Sequence, residues 1–303
     1  MSVETLLDAA YAESVDARLA SSDAYVEYQM REAQRALPFL GKFFQIQGAR
    51  VLEIGAGRGG KGIAYAQAGM RLTALDVDQP ALKIAADSAR RRGAPIQFLI
   101  GDGAGLALPE NFFDAILLDS VIEHTREPSA VLAECWRVLK PGGIVLVVFP
   151  PWYGPLSGHI DDFVMIPWFH LLPRQIVENY LLAKKQAIGI LAPRDAFEVF
   201  LSLNHLTIFR FRQFARRAGF RLAYARVRPF LTHPGMRLAV GLVSAFRHAP
   251  RWEKLRAAFA RARREFSLGS FLLFLLLGAI SPLVFVPLAQ EVAVGGYKCV
   301  LKK

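Results

Sequence analysis

The sequence predicts an α/β fold built around a mostly parallel sheet. Short apolar runs alternate with amphipathic ones between residues 49 and 150. A glycine-rich stretch, VLEIGAGRGG (51–60), joins the first apolar run to the first amphipathic one. Acids close three successive apolar runs at Glu53, Asp76 and Asp102, where ligands of open parallel sheets sit.

The elements follow in order. Apolar spacings near 3.6 predict helices over 4–20 and 24–37, the second ending near Pro38. ARVLEI (49–54) reads as a buried strand, and the glycine loop opens a helix over 60–68. RLTALD (71–76) is a second strand. The helix over 80–92 carries Pro80 in its first turn, where the missing N–H costs nothing. IQFLIG (96–101) and FDAILLD (113–119) are the third and fourth strands. A helix over 128–140 is closed by PGG, and IVLVVF (144–149) is the fifth strand. Alternation of this kind gives right-handed crossovers. After residue 150 the rhythm breaks: 150–173 is rich in Pro and aromatics and reads as an irregular lid, with a helix near 174–186. An amphipathic helix over 207–220, a strand over 221–230 and a terminal strand over 296–303 complete the chain.

The 303 residues suffice for one large domain or two small ones, and 53% hydrophobic against 21% charged residues excludes disorder. Cys135 and Cys299 lack metal-type spacing and are expected as reduced, buried thiols. The acidic opening MSVETLLDAAYAES has no basic start followed by an apolar core, so no leader is expected. Charge divides unevenly: 15 Lys/Arg against 18 Asp/Glu in 1–150, then 22 against 8 in 151–303. A second half this basic is expected to meet something anionic.

Gly55, Gly57 and Gly60 spell G-x-G-x-x-G, with Asp76 about 20 positions on, the dinucleotide fingerprint. Glu53 argues against that ligand, because a carboxylate beside a helix N-terminus repels a pyrophosphate. S-adenosylmethionine (SAM) keeps the adenine and ribose but ends in an ammonium and a sulfonium, which an acid at 53 attracts. Asp76 can accept from the ribose hydroxyls and Asp102 from the adenine amino group. Gly59 and Gly60 admit either ligand contact or close packing, and Asp78 reads as the cap of the next helix.

At VLEIGAGRGG, ALDVD, GDGAGLALPENFFDAILLDSVIEH and VLKPGGIVLVVFP the sequence resembles the class I SAM-dependent methyltransferases, over residues 49–150. The resemblance implies a Rossmann-like, seven-stranded, mostly parallel sheet with an antiparallel last strand. It implies SAM contacts from Gly55, Ala56, Gly57, Asp76, Val77, Asp102 and Gly103, with Asp119 and Ser120 beside the cofactor. Some ubiquinone-biosynthesis O-methyltransferases carry E-x-x-E-H here and bind a metal with it. Ser120 stands where the first Glu would be and removes a hard oxygen ligand, so no metal is expected.

Methyl transfer needs in-line approach and, for a hydroxyl acceptor, loss of a proton. His159, beside Asp161 and Asp162, is the first candidate base; His124 is the second, and His170 and His205 follow. Trp152, Tyr153, Trp168 and Phe169 could wall an apolar acceptor pocket or pack among themselves. Leu268–Ala289 is a charge-free run of 22 residues preceded by Arg251, Lys254, Arg256, Arg261, Arg263 and Arg264. A single span would separate two strands of one sheet, and Pro282 and Pro287 interrupt the run. Interfacial or re-entrant insertion at an anionic membrane surface, through 251–290, is therefore expected, with a buried core or dimer helix as the alternative.

The expected organisation is an N-terminal helical cap (1–48), a SAM-binding core (49–150), a lid (151–206), sheet completion by 207–230 and 291–303, and a basic, apolar insertion (231–290). The expected function is methyl transfer from SAM to a lipidic or lipid-linked acceptor, on oxygen, by a cytoplasmic protein at the membrane face. Homo-oligomerisation is left open. The alternatives are an RNA or soluble small-molecule methyltransferase, an NAD-dependent oxidoreductase and a non-catalytic membrane adaptor. RNA is disfavoured because helical spacing in FRFRQFARR (209–217) turns the Phe residues inward.

Overall fold

The computed structural model describes residues 18–164, 166–184, 186–229, 291–292 and 294–303. The expected helix over 4–20, apart from its last residues, and the expected insertion over 231–290 lie outside the described residues.

Seven strands form one sheet in the order β3-β2-β1-β4-β5-β7-β6. They are β1 Arg50–Ile54, β2 Arg71–Asp76, β3 Ile96–Ile100, β4 Phe113–Asp119, β5 Leu139–Phe149, β6 Arg221–Pro229 and β7 Val294–Lys302. The first five are parallel; β7 runs antiparallel between β5 and β6. This is the Rossmann-like sheet expected. The helices are α1 Ser22–Leu40, α2 Gly60–Gln67, α3 Gln79–Arg91, α4 Pro128–Val138, α5 Arg174–Leu182, α6 Pro193–Ser202 and α7 Ile208–Arg217. Two apolar clusters cover the sheet. One holds Ile116, Leu118, Leu132, Phe149, Phe211 and Tyr297; the other holds Val26, Leu40, Val51, Ile63, Leu72 and Val300.

Three elements differ from expectation. Helix α1 runs through Pro38 to Leu40. Proline there removes one bond in the last turn only, and the fully buried Leu40 holds the end down. The PGG after α4 lies inside β5 rather than before it: Leu139 pairs with Phe113, the register shifts, and pairing resumes at Ile144 with Ala115. Gly142, at φ +80°, makes the left-handed turn that the shift requires. Helix α6 was not foreseen, although Pro193 and Asp195 mark its first turn.

The lid has its own small core of Ile160, Phe163, Val164, Phe169, Val177, Phe197 and Phe200, with Trp152 against it. Its aromatics therefore mostly pack with one another. Trp152 stacks on His205 at 3.8 Å, and the Trp168 Nε1–H donates to the Tyr153 carbonyl. On α7, Phe211 is fully buried as the spacing requires, but Phe209 is 71% exposed and points outward, against the expectation that these rings face in. Cys135 and Cys299 are buried free thiols, and burial pushes both upward in pKa, Cys299 to about 12. Among the described residues no helix is long and apolar enough to cross a membrane.

Candidate active site

The carboxyl ends of β1, β2, β3 and β4 meet at one edge, and the candidate cofactor residues lie there. The turn after β1 is held by the Leu75 carbonyl, which accepts from the Gly55 and Ala56 N–H groups at 2.7 and 3.1 Å. Gly55 has φ +75°, and a Cβ there would lie 2.3 Å from Val121, so only glycine fits. The two later glycines serve packing: a side chain at Gly59 would strike Ala85 of α3, and one at Gly60 would strike Val26 and Gln29 of α1.

Asp76 ends β2, with one carboxylate oxygen accepting from Gly57 N–H at 2.7 Å and the other from Asp78 N–H at 2.9 Å. Each oxygen keeps a lone pair for a ribose hydroxyl. Asp76 thus also pins the glycine turn, a structural role the sequence did not suggest. Asp78 caps α3 through Ala81 N–H, as expected. Val77 is 70% exposed beside it, an apolar surface open to a ring. Asp102, past β3, is exposed and accepts from Ala104 N–H, while Gly103 is buried under Ile54 and Val131.

Glu53 departs from expectation. It is 6% exposed, and one of its carboxylate oxygens is buried without a partner. Burial pushes its pKa to about 8, with the nearby Lys61 opposing and Asp119 and Asp76 adding to the rise. Burying an ionised carboxylate costs several kcal/mol, so the acid holds its proton near neutral pH. The electrostatic argument from Glu53 needs that correction: the acid ion-paired at this end is Asp119, not Glu53. Asp119 pairs with the Lys61 Nζ at 2.7 Å. Burial alone would lower the Lys61 pKa, but Asp119, with Glu53 and Tyr25 adding, makes the net shift upward. Gln29, Glu53, Lys61, Tyr65 and Asp119 border a cavity of about 30 Å³, room for about one water-sized polar group. A lysine and acids around one small cavity match the zwitterionic amino-acid end of SAM, so the residues present fit the cofactor. Sequence reasoning missed Lys61, Gln29 and Tyr65; only Lys61, directly after Gly60, gave a signal.

Beyond Asp119, Ser120 turns the chain with φ +60°. A short 3-10 turn (Ile122–His124) then presents Glu123 and His124. Asn204 fixes this turn: its Nδ2 donates to the Ile122 and Thr125 carbonyls at 2.8 and 2.7 Å, and its backbone N–H donates to the Glu123 carbonyl. The lid brings His159 against it, Nε2 3.2 Å from Glu123 Oε1, the rings of His124 and His159 4.9 Å apart. His159 has φ +54°, a strained conformation that aims the ring inward. Its orienting carboxylate is Glu123, not the adjacent Asp161 or Asp162; Asp162 pairs with Arg18 instead. Burial lowers the His159 pKa, but Glu123, with Asp161 and Asp162 adding, turns the net shift upward. His124 is pushed down to about 4, first by burial and then by His159. His170 is buried and spends its Nε2 on the Trp152 carbonyl, a packing role.

Residues 52–147 match the family described as methyltransferase domain. A demethylmenaquinone methyltransferase of Renibacterium salmoninarum is 36% identical over 122 residues, 40% of this chain and 50% of that protein. A ubiquinone biosynthesis O-methyltransferase of Caulobacter vibrioides is 35% identical over 108 residues, 33% of this chain and 40% of that one. The chain spans about half the length of the curated relatives it matches. The crystal structure of the [4+2]-cyclase SpnF aligns with 90% of this chain and 81% of its own, at TM-score 0.51 and 19% identity. That likeness establishes the fold and leaves the reaction open. With this sheet order, this glycine turn and acids ending β1, β2 and β4, residues 52–147 form a methyltransferase domain of the class I, SAM-dependent kind, with SAM as its cofactor.

Proposed function

We propose that the protein transfers the methyl group of SAM to a lipidic or lipid-linked acceptor, on an oxygen. One observation carries the reading. Asp119, the last residue of β4, borders the amino-acid cavity with Glu53 and Lys61, and the short turn that follows it carries Glu123, which pairs with His159. A methyl donor held at the end of β4 and a proton acceptor on the next turn is the arrangement that transfer to a hydroxyl needs. Asp76 and Asp102 would hold ribose and adenine, with Gly55, Ala56, Gly57, Val77 and Gly103 beside them and Ser120 near the methyl group. Glu123 keeps the His159 ring oriented through Nε2–H, and Nδ1 receives the acceptor's proton; His124 completes the polar wall.

The acceptor class has two supports. The relatives above are named for quinone substrates. The charge-free run 268–289 follows a basic stretch, a pattern suited to the cytoplasmic face of an anionic membrane. A quinone precursor or other prenylated hydroxyl compound fits both.

Incubating the protein with membrane lipid extract and isotope-labelled SAM, followed by mass spectrometry, tests the reading. A labelled, extractable apolar product is expected. Label found only in RNA or water-soluble compounds would overturn the acceptor class. His159→Ala should lower kcat by about 10²-fold, in the range of a lost general base, with SAM affinity nearly unchanged. Full activity would remove His159 from the chemistry.

A further inference from the structure

Glu123, His124 and His159 each offer one ligating atom, and the three atoms lie within 4.8 Å of one another. We propose that these side chains bind a divalent transition-metal ion of the zinc class, with an open position facing the acceptor.

The geometry suits one ion. Tetrahedral coordination at zinc-to-nitrogen and zinc-to-oxygen distances of about 2.1 Å puts neighbouring ligand atoms roughly 3.4 Å apart. His159 Nε2 and Glu123 Oε1 are already 3.2 Å apart. Glu123 is 3% exposed, and its Oε2 is buried without a hydrogen-bond partner. An unpaired buried carboxylate oxygen is costly, and a cation beside it removes the cost.

The surroundings set His124 up as a ligand. Its Nδ1 lies 3.0 Å from Ser202 Oγ. That hydroxyl spends its single proton on the Val199 carbonyl, at 2.7 Å, so its oxygen accepts from Nδ1–H. The lone pair of the neutral ring is then on Nε2. A ligating imidazole whose second nitrogen donates outward is the usual support of a metal centre. Asn204 fixes the backbone of the turn that carries both Glu123 and His124.

Ser120 argued against a metal from sequence because it removes an acid from that turn. The fold supplies a donor from elsewhere, His159 in the lid, and the change of donor changes the chemistry. Two imidazoles and one carboxylate select zinc, cobalt or iron over magnesium, which prefers an all-oxygen shell. The ion would draw the acceptor's oxygen into its open position and lower the pKa of that hydroxyl, so that its proton passes to solvent. A ligated His159 cannot accept a proton at the same moment, so in the loaded protein it serves as a ligand contributed by the lid rather than as a free base. The role of the ion rests on the methyl-transfer reading; its binding does not.

Titration of the chelator-treated full chain with Co²⁺, followed by its visible d–d absorption, tests the site. One Co²⁺ per chain with a low-symmetry spectrum is expected, displaced by Zn²⁺ and not by Mg²⁺. His159→Ala and His124→Ala should each weaken binding by at least about tenfold, the loss that even an outer partner can cause. His170→Ala, outside the cluster, should leave it unchanged. Circular dichroism confirms that each variant folds, and His159→Gln replaces any that does not. Absence of a d–d band in the wild type, equal competition by Mg²⁺, or binding that survives both cluster variants would overturn the proposal. A SAM titration of the same samples separates the two claims: cobalt binding without SAM binding keeps the ion site and removes the methyl-transfer reading.

Discussion

At Glu53, burial and charge pull on one proton, and stability should record it. The folded-state pKa is raised from 4.5 to about 8. Below about pH 4.5 both folded and unfolded chains hold the proton. Between there and pH 8 the unfolded chain loses it while the folded one keeps it, so stability falls as pH rises and levels off above 8. Glu53→Gln should therefore raise Tm at pH 8 more than at pH 5, by up to a few kcal/mol in stability. Equal Tm gains at both pH values in scanning calorimetry would refute the assignment. The SAM ammonium, arriving beside this acid, should drive the proton off. Calorimetry at pH 7 in two buffers of different ionisation enthalpy should show proton release, and identical heats would contradict it. Of these residue-level features, the acids and glycines at 53–57, 76 and 102 were legible in the sequence, because each ends a strand whose apolar pattern is plain. Burial of Glu53 was not, since it depends on α2 folding back so that Gly62 packs against the Glu53 carboxylate. The orienting of His159 by Glu123 was not either: the two are joined by a left-handed loop residue and a lid whose path has no periodicity.

Among the elements, the 3-10 turn that presents Glu123 and His124 is held from outside by Asn204. Asn204→Ala removes two bonds to backbone carbonyls and should cost about 1–3 kcal/mol. It should also lower turnover while SAM affinity holds. Unaltered activity and stability would show that the turn stands alone. The contact between α2 and α3 at Gly59 gives a second check at this scale. Gly59→Val forces a left-handed β-branched residue against Ala85, and urea unfolding should show a loss of several kcal/mol. Strand positions were readable because β1, β2 and β4 are buried on both faces and almost wholly apolar. The start of β5 was not, because PGG normally ends a helix, while here Leu139 gains a partner in Phe113 and the strand begins early.

Across the whole molecule, the mildly acidic core and the basic second half divide the work: one grips a small cofactor, the other is proposed to meet an anionic surface. Deleting 266–290 should release the protein from vesicles rich in anionic lipid while SAM binding persists. Continued sedimentation with those vesicles would place the membrane contact elsewhere. A seven-stranded sheet with an antiparallel last strand was implied by the resemblance and is what the fold shows, whereas the strand order, the lid's separate core and α6 became apparent only from the structure.

The most direct test of the account is a calorimetric titration of the full chain with SAM and with NADH, repeated on Asp76→Asn. Saturable SAM binding, weakened by at least about tenfold in the variant, and no heat from NADH are the predicted results. Saturable NADH binding, or SAM affinity indifferent to residue 76, would contradict it.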